Sequence, residues 1–216
     1  MDLGGERVEY QQATLADAEV VSDPYQLFQR WLSEAFVASQ QGLLAEPNAM
    51  ALATTADTGQ PSLRLVLLKE LDPRRGFIFY TNQLSRKGVE LGQNPLVALL
   101  MPWHALQRQI RVEGRTEQLP ADESDRYFQT RARGSQIGAW ASPQSRVTTA
   151  GELRAAYLGV EKRFAGDQPV PRPDYWGGYL VRPHAIEFWQ GLPNRMHDRI
   201  RFTRTAGSWS WDRLAP

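Results

Sequence analysis

Residues 49–81 read AMALATTADTGQPSLRLVLLKELDPRRGFIFYT, and this stretch decides the fold. Three short apolar runs, AMALATT, SLRLVLLKE and GFIFYT, are separated by turn signals at Asp57–Gly59 and Asp72–Gly76. Such runs, punctuated by Gly, Asp and Pro, predict strands joined by hairpins. Working outward, PLVALLMPW and RQIRVEGRTEQL predict two more strands. GYLVRP, AIEFWQG, RMHDRIRFTR and SWSWDRL predict the C-terminal ones, with Thr205–Ser208 as the last hairpin turn and PVPRPDYWGG as a loop before them. Helices are predicted on the flanks. SDPYQLFQRWLSEAF carries Ser22 or Asp23 as cap, Pro24 in its first turn and an apolar stripe of Leu27, Trp31, Leu32, Ala35 and Phe36. SRKGVELGQN starts at a capping Ser85, ADESDRYFQTR opens at Pro120, and GELRAAYLGVEKRF follows. About eight strands with three or four helices, connected mostly strand to strand, predict a mainly β fold with α: an antiparallel barrel with helices packed outside. Residues 1–21 are expected to form a mobile N-terminal arm and residues 22–216 a single domain.

Composition narrows the function classes. The 216 residues are 42% hydrophobic and 23% charged, with a net charge of +1. That is the balance of a soluble globular chain, with no bias toward polyanions. No apolar run reaches about 18 residues, which argues against a membrane span, and the acidic N-terminus lacks a secretory core. A cytoplasmic location is the expectation. With no cysteine, disulfides, thiolate nucleophiles and cysteine metal sites are excluded. His104, His184 and His197 form no metal-ligand pair, so no metal site is expected. There is no GxxxxGK[ST], GxGxxG or GxSxG pattern, and the basic residues form no stripe for nucleic acid.

Of 25 basic residues only Lys69, Lys87 and Lys162 are lysines. Arginine forks suit phosphate and carboxylate ligands, and positions decide whether they serve one here. In NRMHDR, strand alternation would put Arg195, His197 and Arg199 on one face, facing an anion or π-rich group unless that face is solvated. In RYFQTRARGSQIGAW, Tyr127 and Arg131 stand one helical turn apart with Ser135 beyond, a donor set suited to a phosphate dianion unless the pair is incidental. In RLVLLK, Arg64 and Lys69 differ in parity and share a site only if the strand bends or Lys69 reaches past its end. Ser85, Arg86 and Lys87 fall at a helix N-terminus, where backbone donors favour anions. Trp189, with Gln109, Gln144 and Ser145, is either core or a flat-ring contact.

Taken in order, RLVLLK, FYTNQLSRKG, LLMPWHALQRQIRVEG, YFQTRARGSQIGAWASPQS, WGGYLVRPHAIEFWQG and NRMHDRI closely resemble the pyridoxamine 5'-phosphate oxidase family, over about Asp23 to Pro216. The resemblance implies an FMN-binding split β-barrel with surrounding helices, working as a homodimer with FMN at the subunit interface. It implies oxidation of pyridoxamine 5'-phosphate and pyridoxine 5'-phosphate to pyridoxal 5'-phosphate, with dioxygen as acceptor and hydrogen peroxide as product. The FMN positions it implies are Arg64, Leu65, Val66, Leu67, Leu68 and Lys69, then Tyr80, Thr81, Arg86, Lys87, Gln109, Gln144, Ser145, Trp189 and Arg199. The substrate positions are Lys69, Tyr127, Arg131 and Ser135 for the phosphate, and Arg195, Met196 and His197 for the ring. Arg195 and His197 are the catalytic candidates. Arg7 and Tyr10 resemble an arm closing over the site. The competing expectations are a phenazine-pathway flavin oxidase on the same barrel, whose substrates lack the phosphate that Tyr127, Arg131 and Ser135 would grip, and a flavin- or pyridoxal-phosphate-holding protein without turnover. The GLPN stretch, with Pro193, bears on the approach to Arg195.

Overall fold

The computed structural model describes residues 9–166 and 168–216. Helix α1 spans Pro24–Gln40, with the Asp23 carboxylate accepting from the Tyr25 N–H at 2.9 Å as its cap. It buries Leu27, Phe28, Trp31 and Ala35 against the sheet, whereas Phe36, expected in the stripe, is exposed. Strands β1 (Ala49–Thr55) and β2 (Pro61–Leu67) follow as predicted; Glu70–Asp72, expected as the end of the second run and the start of a turn, form a separate short strand β3; β4 (Gly76–Asn82), as predicted, and α2 (Arg86–Gln93) come next. After β5 (Leu96–Trp103) and β6 (Arg108–Gln118) come α3 (Ala121–Thr130), α4 (Arg133–Ala141) and α5 (Ala150–Arg163). The chain closes with β7 (Trp176–Gln190), β8 (Asp198–Thr205) and β9 (Ser208–Arg213).

All pairings are antiparallel, in the order β2-β1-β5-β6-β7-β4-β3, and β8 with β9 also joins β7. The sheet curls into a half-barrel. Its concave side holds Leu52, Phe77, Phe79, Leu99, Ile110, Val112, Phe188, Ile200 and Phe202, each with no exposed surface. Strand β7 organises this curl. Its first half pairs with β4, its second half with β8, and nearly its whole length with β6. The curl needs a bulge where Glu113 gives way to Gly114. There a Cβ would lie 2.5 Å from the Arg182 carbonyl oxygen, so only glycine fits.

Four expectations are corrected. GYLVRP and AIEFWQG are one fifteen-residue strand that also takes in Trp176–Gly178, placed by sequence in a loop. Pro183 is tolerated because it sits at the bulge. The strand expected from Arg195 begins only at Asp198, because Asn194 and Arg195 have φ of +56° and +62° in a 3-10 turn. The alternation argument for Arg195, His197 and Arg199 therefore fails. Finally, α3 stops at Thr130 and Arg131 is extended at its C-cap, so Tyr127 and Arg131 are not a helical i, i+4 pair.

Candidate functional site

The half-barrel leaves a cleft of about 560 Å³ between the β2 edge, β4, the start of α2 and the α3–α4 junction. Of the sequence-predicted residues, Leu65, Val66, Leu67, Lys69, Tyr80, Thr81, Lys87, Tyr127, Arg131, Ser135 and Gln144 line it. Arg64 on β2 does not line the cleft, whereas Lys69 reaches it by lying past the end of the strand. The break at Arg131 has the same effect. By ending α3, it turns the guanidinium inward beside Ser135 on α4.

One wall is aromatic. Tyr80 stacks on Tyr127 with centroids 3.8 Å apart, and Trp176 lies parallel at 5.5 Å from Tyr80. The Arg131 guanidinium sits 4.6 Å from the Trp176 ring centroid. Its NH1 is buried and has no hydrogen-bond partner. Burial draws the Arg131 pKa down, only partly offset by Tyr127. An orphaned buried guanidinium N–H is costly, and an entering anion would satisfy it. Trp176 was missed from sequence, where the strand it opens read as loop.

A second cationic group stands at the N-terminus of α2. Ser85 caps the helix by accepting from Gly88 N–H at 3.3 Å. Lys87 Nζ donates to Gln144 Oε1 at 2.8 Å, Thr81 Oγ1 at 3.1 Å and Ser85 Oγ at 3.2 Å. Burial first, and the nearby Arg64 second, push the Lys87 ammonium down to about 8. Arg64 and Arg86 do not line the cleft. Both bond to Glu90, a carboxylate that sequence inspection passed over although it lies one turn beyond Arg86. Leu68 is buried in the core. Ser145 follows Gln144 at φ +72° and lies outside the cleft lining.

The remaining predicted residues gather elsewhere. Gln109, Trp189 and Arg199 are directly opposite one another across β6, β7 and β8. They therefore share one face. It is the outer one, since Phe188 and Ile200 point inward. Arg199 Nε donates to Glu187 Oε1 at 2.8 Å, and Arg111 NH2 to Glu187 Oε2 at 2.8 Å. Glu187 is nearly buried and was also missed, because only the strand register reveals it. His197 packs tilted against Trp189 with centroids 4.6 Å apart, and Tyr10 lies 5.8 Å from both rings. Tyr10 packs where a Cβ on Gly191 would come within 2.7 Å. The Leu192 N–H donates to His197 Nδ1 at 3.1 Å, which leaves the imidazole proton on Nε2. Burial and then Arg195 lower the His197 pKa, favouring the neutral ring. Met196 is exposed. Arg7 lies outside the described residues.

The arm residues next to Tyr10 are tied to the barrel. Gln11 N–H donates to Gln107 Oε1 at 2.9 Å, Leu15 N–H to Asp198 Oδ2 at 2.8 Å, and Leu15 is buried in the core. Among the described residues no helix is long and apolar enough to cross a membrane.

The curled antiparallel sheet, with flanking helices and a cation-lined cleft at its edge, defines a split-barrel protein. The comparisons carry this to a family. A family model described as pyridoxamine 5'-phosphate oxidase matches residues 36–157, and one described as the pyridoxine 5'-phosphate oxidase C-terminal dimerisation region matches residues 176–216. A Salinibacter ruber protein named pyridoxine/pyridoxamine 5'-phosphate oxidase is 52% identical over 213 residues, 97% of each chain. Among solved structures, PhzG from Burkholderia lata 383, in complex with tetrahydrophenazine-1-carboxylic acid, superposes with a TM-score of 0.84 at 32% identity, covering 92% of this chain and 95% of its own. A pyridoxamine 5'-phosphate oxidase-related, FMN binding protein from Nostoc punctiforme PCC 73102 reaches a TM-score of 0.67 at 16% identity, covering 85% and 96%, and shares the fold. The chain belongs to the pyridoxamine 5'-phosphate oxidase family.

Proposed function

We propose that the protein oxidises pyridoxamine 5'-phosphate and pyridoxine 5'-phosphate to pyridoxal 5'-phosphate, with dioxygen as acceptor and hydrogen peroxide as product, and with ammonia also released from the amine. The observation that carries this is the buried, unpartnered Arg131 NH1 beside Tyr127, Ser135 and Lys69, a ready grip for a phosphate dianion. The cleft also fits FMN. Its second cationic group, Lys87 at the α2 N-terminus with Arg64 and Arg86 close behind, suits the cofactor phosphate. Strand β2 ends the sheet, so Leu65 and Leu67, on either side of the β1-paired Val66, offer unpaired backbone donors and acceptors to a flat heterocycle. Bound FMN would supply two-electron acceptance at the carbon that becomes the aldehyde, and reoxidation by dioxygen.

The chain's own part is placement. Lys69, Tyr127, Arg131 and Ser135 anchor the substrate phosphate, and holding both phosphates fixes the reacting carbon, an orientation effect of several kcal/mol. Gln109, Trp189, Arg195, Met196, His197 and Arg199 lie outside this cleft, so they would act from a second copy in a homodimer. Two features support that assembly: the family's dimerisation region at residues 176–216, and Leu63 and Leu65 exposed by 69% and 70% on β2. There Arg195 would steady charge at the substrate ring, while neutral His197, with its Nε2–H, would bond the substrate or pass a proton. Tyr10, already against Trp189 and His197, would cover the ring.

A phenazine-type flavin oxidase is the second reading, favoured by the likeness to PhzG. The orphaned Arg131 donor argues for a phosphorylated substrate instead. The test is an aerobic assay of FMN-loaded protein with pyridoxamine 5'-phosphate, following aldehyde and peroxide together. Equal formation of both is expected. Turnover only of substrates without a phosphate would transfer the assignment to the second reading.

A further inference from the structure

The side chains around Glu90 are wired together more tightly than a helix-surface carboxylate requires. Glu90 lies on α2 and is only 4% exposed. Its Oε1 accepts from Arg86 Nε at 2.8 Å. Its Oε2 accepts from Ser62 Oγ at 2.5 Å, from Arg64 NH2 at 3.2 Å and from Thr54 Oγ1. Arg64 also donates NH1 to the Leu52 carbonyl at 3.0 Å and to Thr54, and NH2 to Ser62. Both terminal nitrogens of Arg64 are thus engaged twice, and Nε–H is the donor that remains. Arg86 is arranged the other way round. Its Nε is used on Glu90, while its terminal fork has no partner among the described residues and its side chain is 59% exposed.

We propose that Glu90 is a positioning residue for the cofactor phosphate: its buried carboxylate fixes which donors of Arg64 and Arg86 remain for the anion and holds both guanidinium groups in place before it arrives. This rests on the reading of Arg64, Arg86 and Lys87 as the FMN phosphate site. Charge supports it. Three cations and one carboxylate leave two positive charges, the complement of a phosphate dianion. Without Glu90 the two guanidinium groups would repel each other and Arg64 would lose its only ionic partner among the described residues. Burial alone would raise the Glu90 pKa, but the bonds from Ser62, Thr54, Arg86 and Arg64 outweigh it and hold the carboxyl down to about 2. It is therefore charged throughout the neutral range.

The experiment compares apo-protein carrying Glu90, Glu90→Gln or Glu90→Ala, titrated with FMN and with riboflavin, the same ring without the phosphate, by flavin fluorescence quenching. The native protein is expected to prefer FMN. Glu90→Ala should weaken FMN about tenfold or more, the size of one charge-assisted hydrogen bond, and riboflavin by less than about twofold. Glu90→Gln keeps one acceptor oxygen and should weaken FMN about threefold, roughly half that free energy. A merely structural role would move both ligands together, so the FMN-to-riboflavin affinity ratio is the decisive readout. If Glu90→Ala does not fold, the ratio in Glu90→Gln decides alone. A native-like ratio in the folded variants overturns the proposal. A native protein that does not prefer FMN over riboflavin removes the phosphate-site reading itself, and the proposal with it.

Discussion

The cleft at the β2 edge and the outer face around Trp189 use the same residue types in opposite states. In the cleft, Arg131 is desolvated and one of its N–H groups has no partner, and the Lys87 ammonium is pushed down to about 8. On the outer face, Arg199 is ion-paired with Glu187 and also donates to the Ala215 carbonyl, and Arg111 shares the same carboxylate. Cations held without counter-charge await an anion, whereas cations already paired hold a surface in shape. Counting arginines cannot separate the two roles; the partners do.

The contrast can be broken most readily at Arg131. Arg131→Ala should weaken substrate binding by about 1.5–3 kcal/mol, roughly ten- to a hundredfold, with FMN affinity little changed. Equilibrium titration with both ligands checks this, and equal losses would dissolve the distinction between the two phosphate grips. Lys87 sharpens it through pH. Its pKa lies below the ordinary lysine value, so the ammonium is lost as pH rises through about 8. A dianion binds the charged form, so FMN affinity should fall above that point, by up to about tenfold per pH unit. Fluorescence titration from neutral to alkaline pH measures it, and a flat profile would place the cofactor phosphate elsewhere. The smallest effect is expected on the outer face. Glu187→Gln should cost about 1 kcal/mol of stability, given the partial exposure of its arginine partners. That is about 2–4 °C in Tm for a chain of this size, with FMN affinity little changed because the Ala215 carbonyl still holds Arg199. A large loss of FMN affinity without a change in Tm would show that Glu187 acts through Arg199 on the partner's flavin rather than on the stability of this face.

Strands β1, β2, β4, β5 and β6 were legible because their β-type runs are bounded by Gly, Asp or Pro, which are local signals, whereas the three-residue β3 carries no such pattern. Helix α2 was legible down to its Ser85 cap for the same reason. Where tertiary geometry overrides local pattern, the sequence was silent. The left-handed backbone at Asn194 and Arg195 carries no glycine to announce it, so an apparent strand there is a turn. Nothing in YFQTRARGS marks the break at Arg131 that turns its side chain into the cleft. The row Gln109–Trp189–Arg199 depends on the register of three strands distant in sequence. Glu90 and Glu187 read as ordinary acidic residues until their neighbours were visible. The family resemblance supplied most of the candidate positions, and the structure divides them between two places.

Strand β7 turns that division into a distance. It begins at Trp176 in the cleft and runs unbroken past Trp189 on the outer face. Thirteen steps of about 3.3 Å make a spacer on the order of 40 Å along the chain. Even bent at its bulge, this strand cannot bring its two ends together within one chain without tearing the ladder to β6. In the proposed homodimer each chain would be a donor at one end and a recipient at the other, and dilution, rather than any inhibitor, would be the simplest way to switch it off.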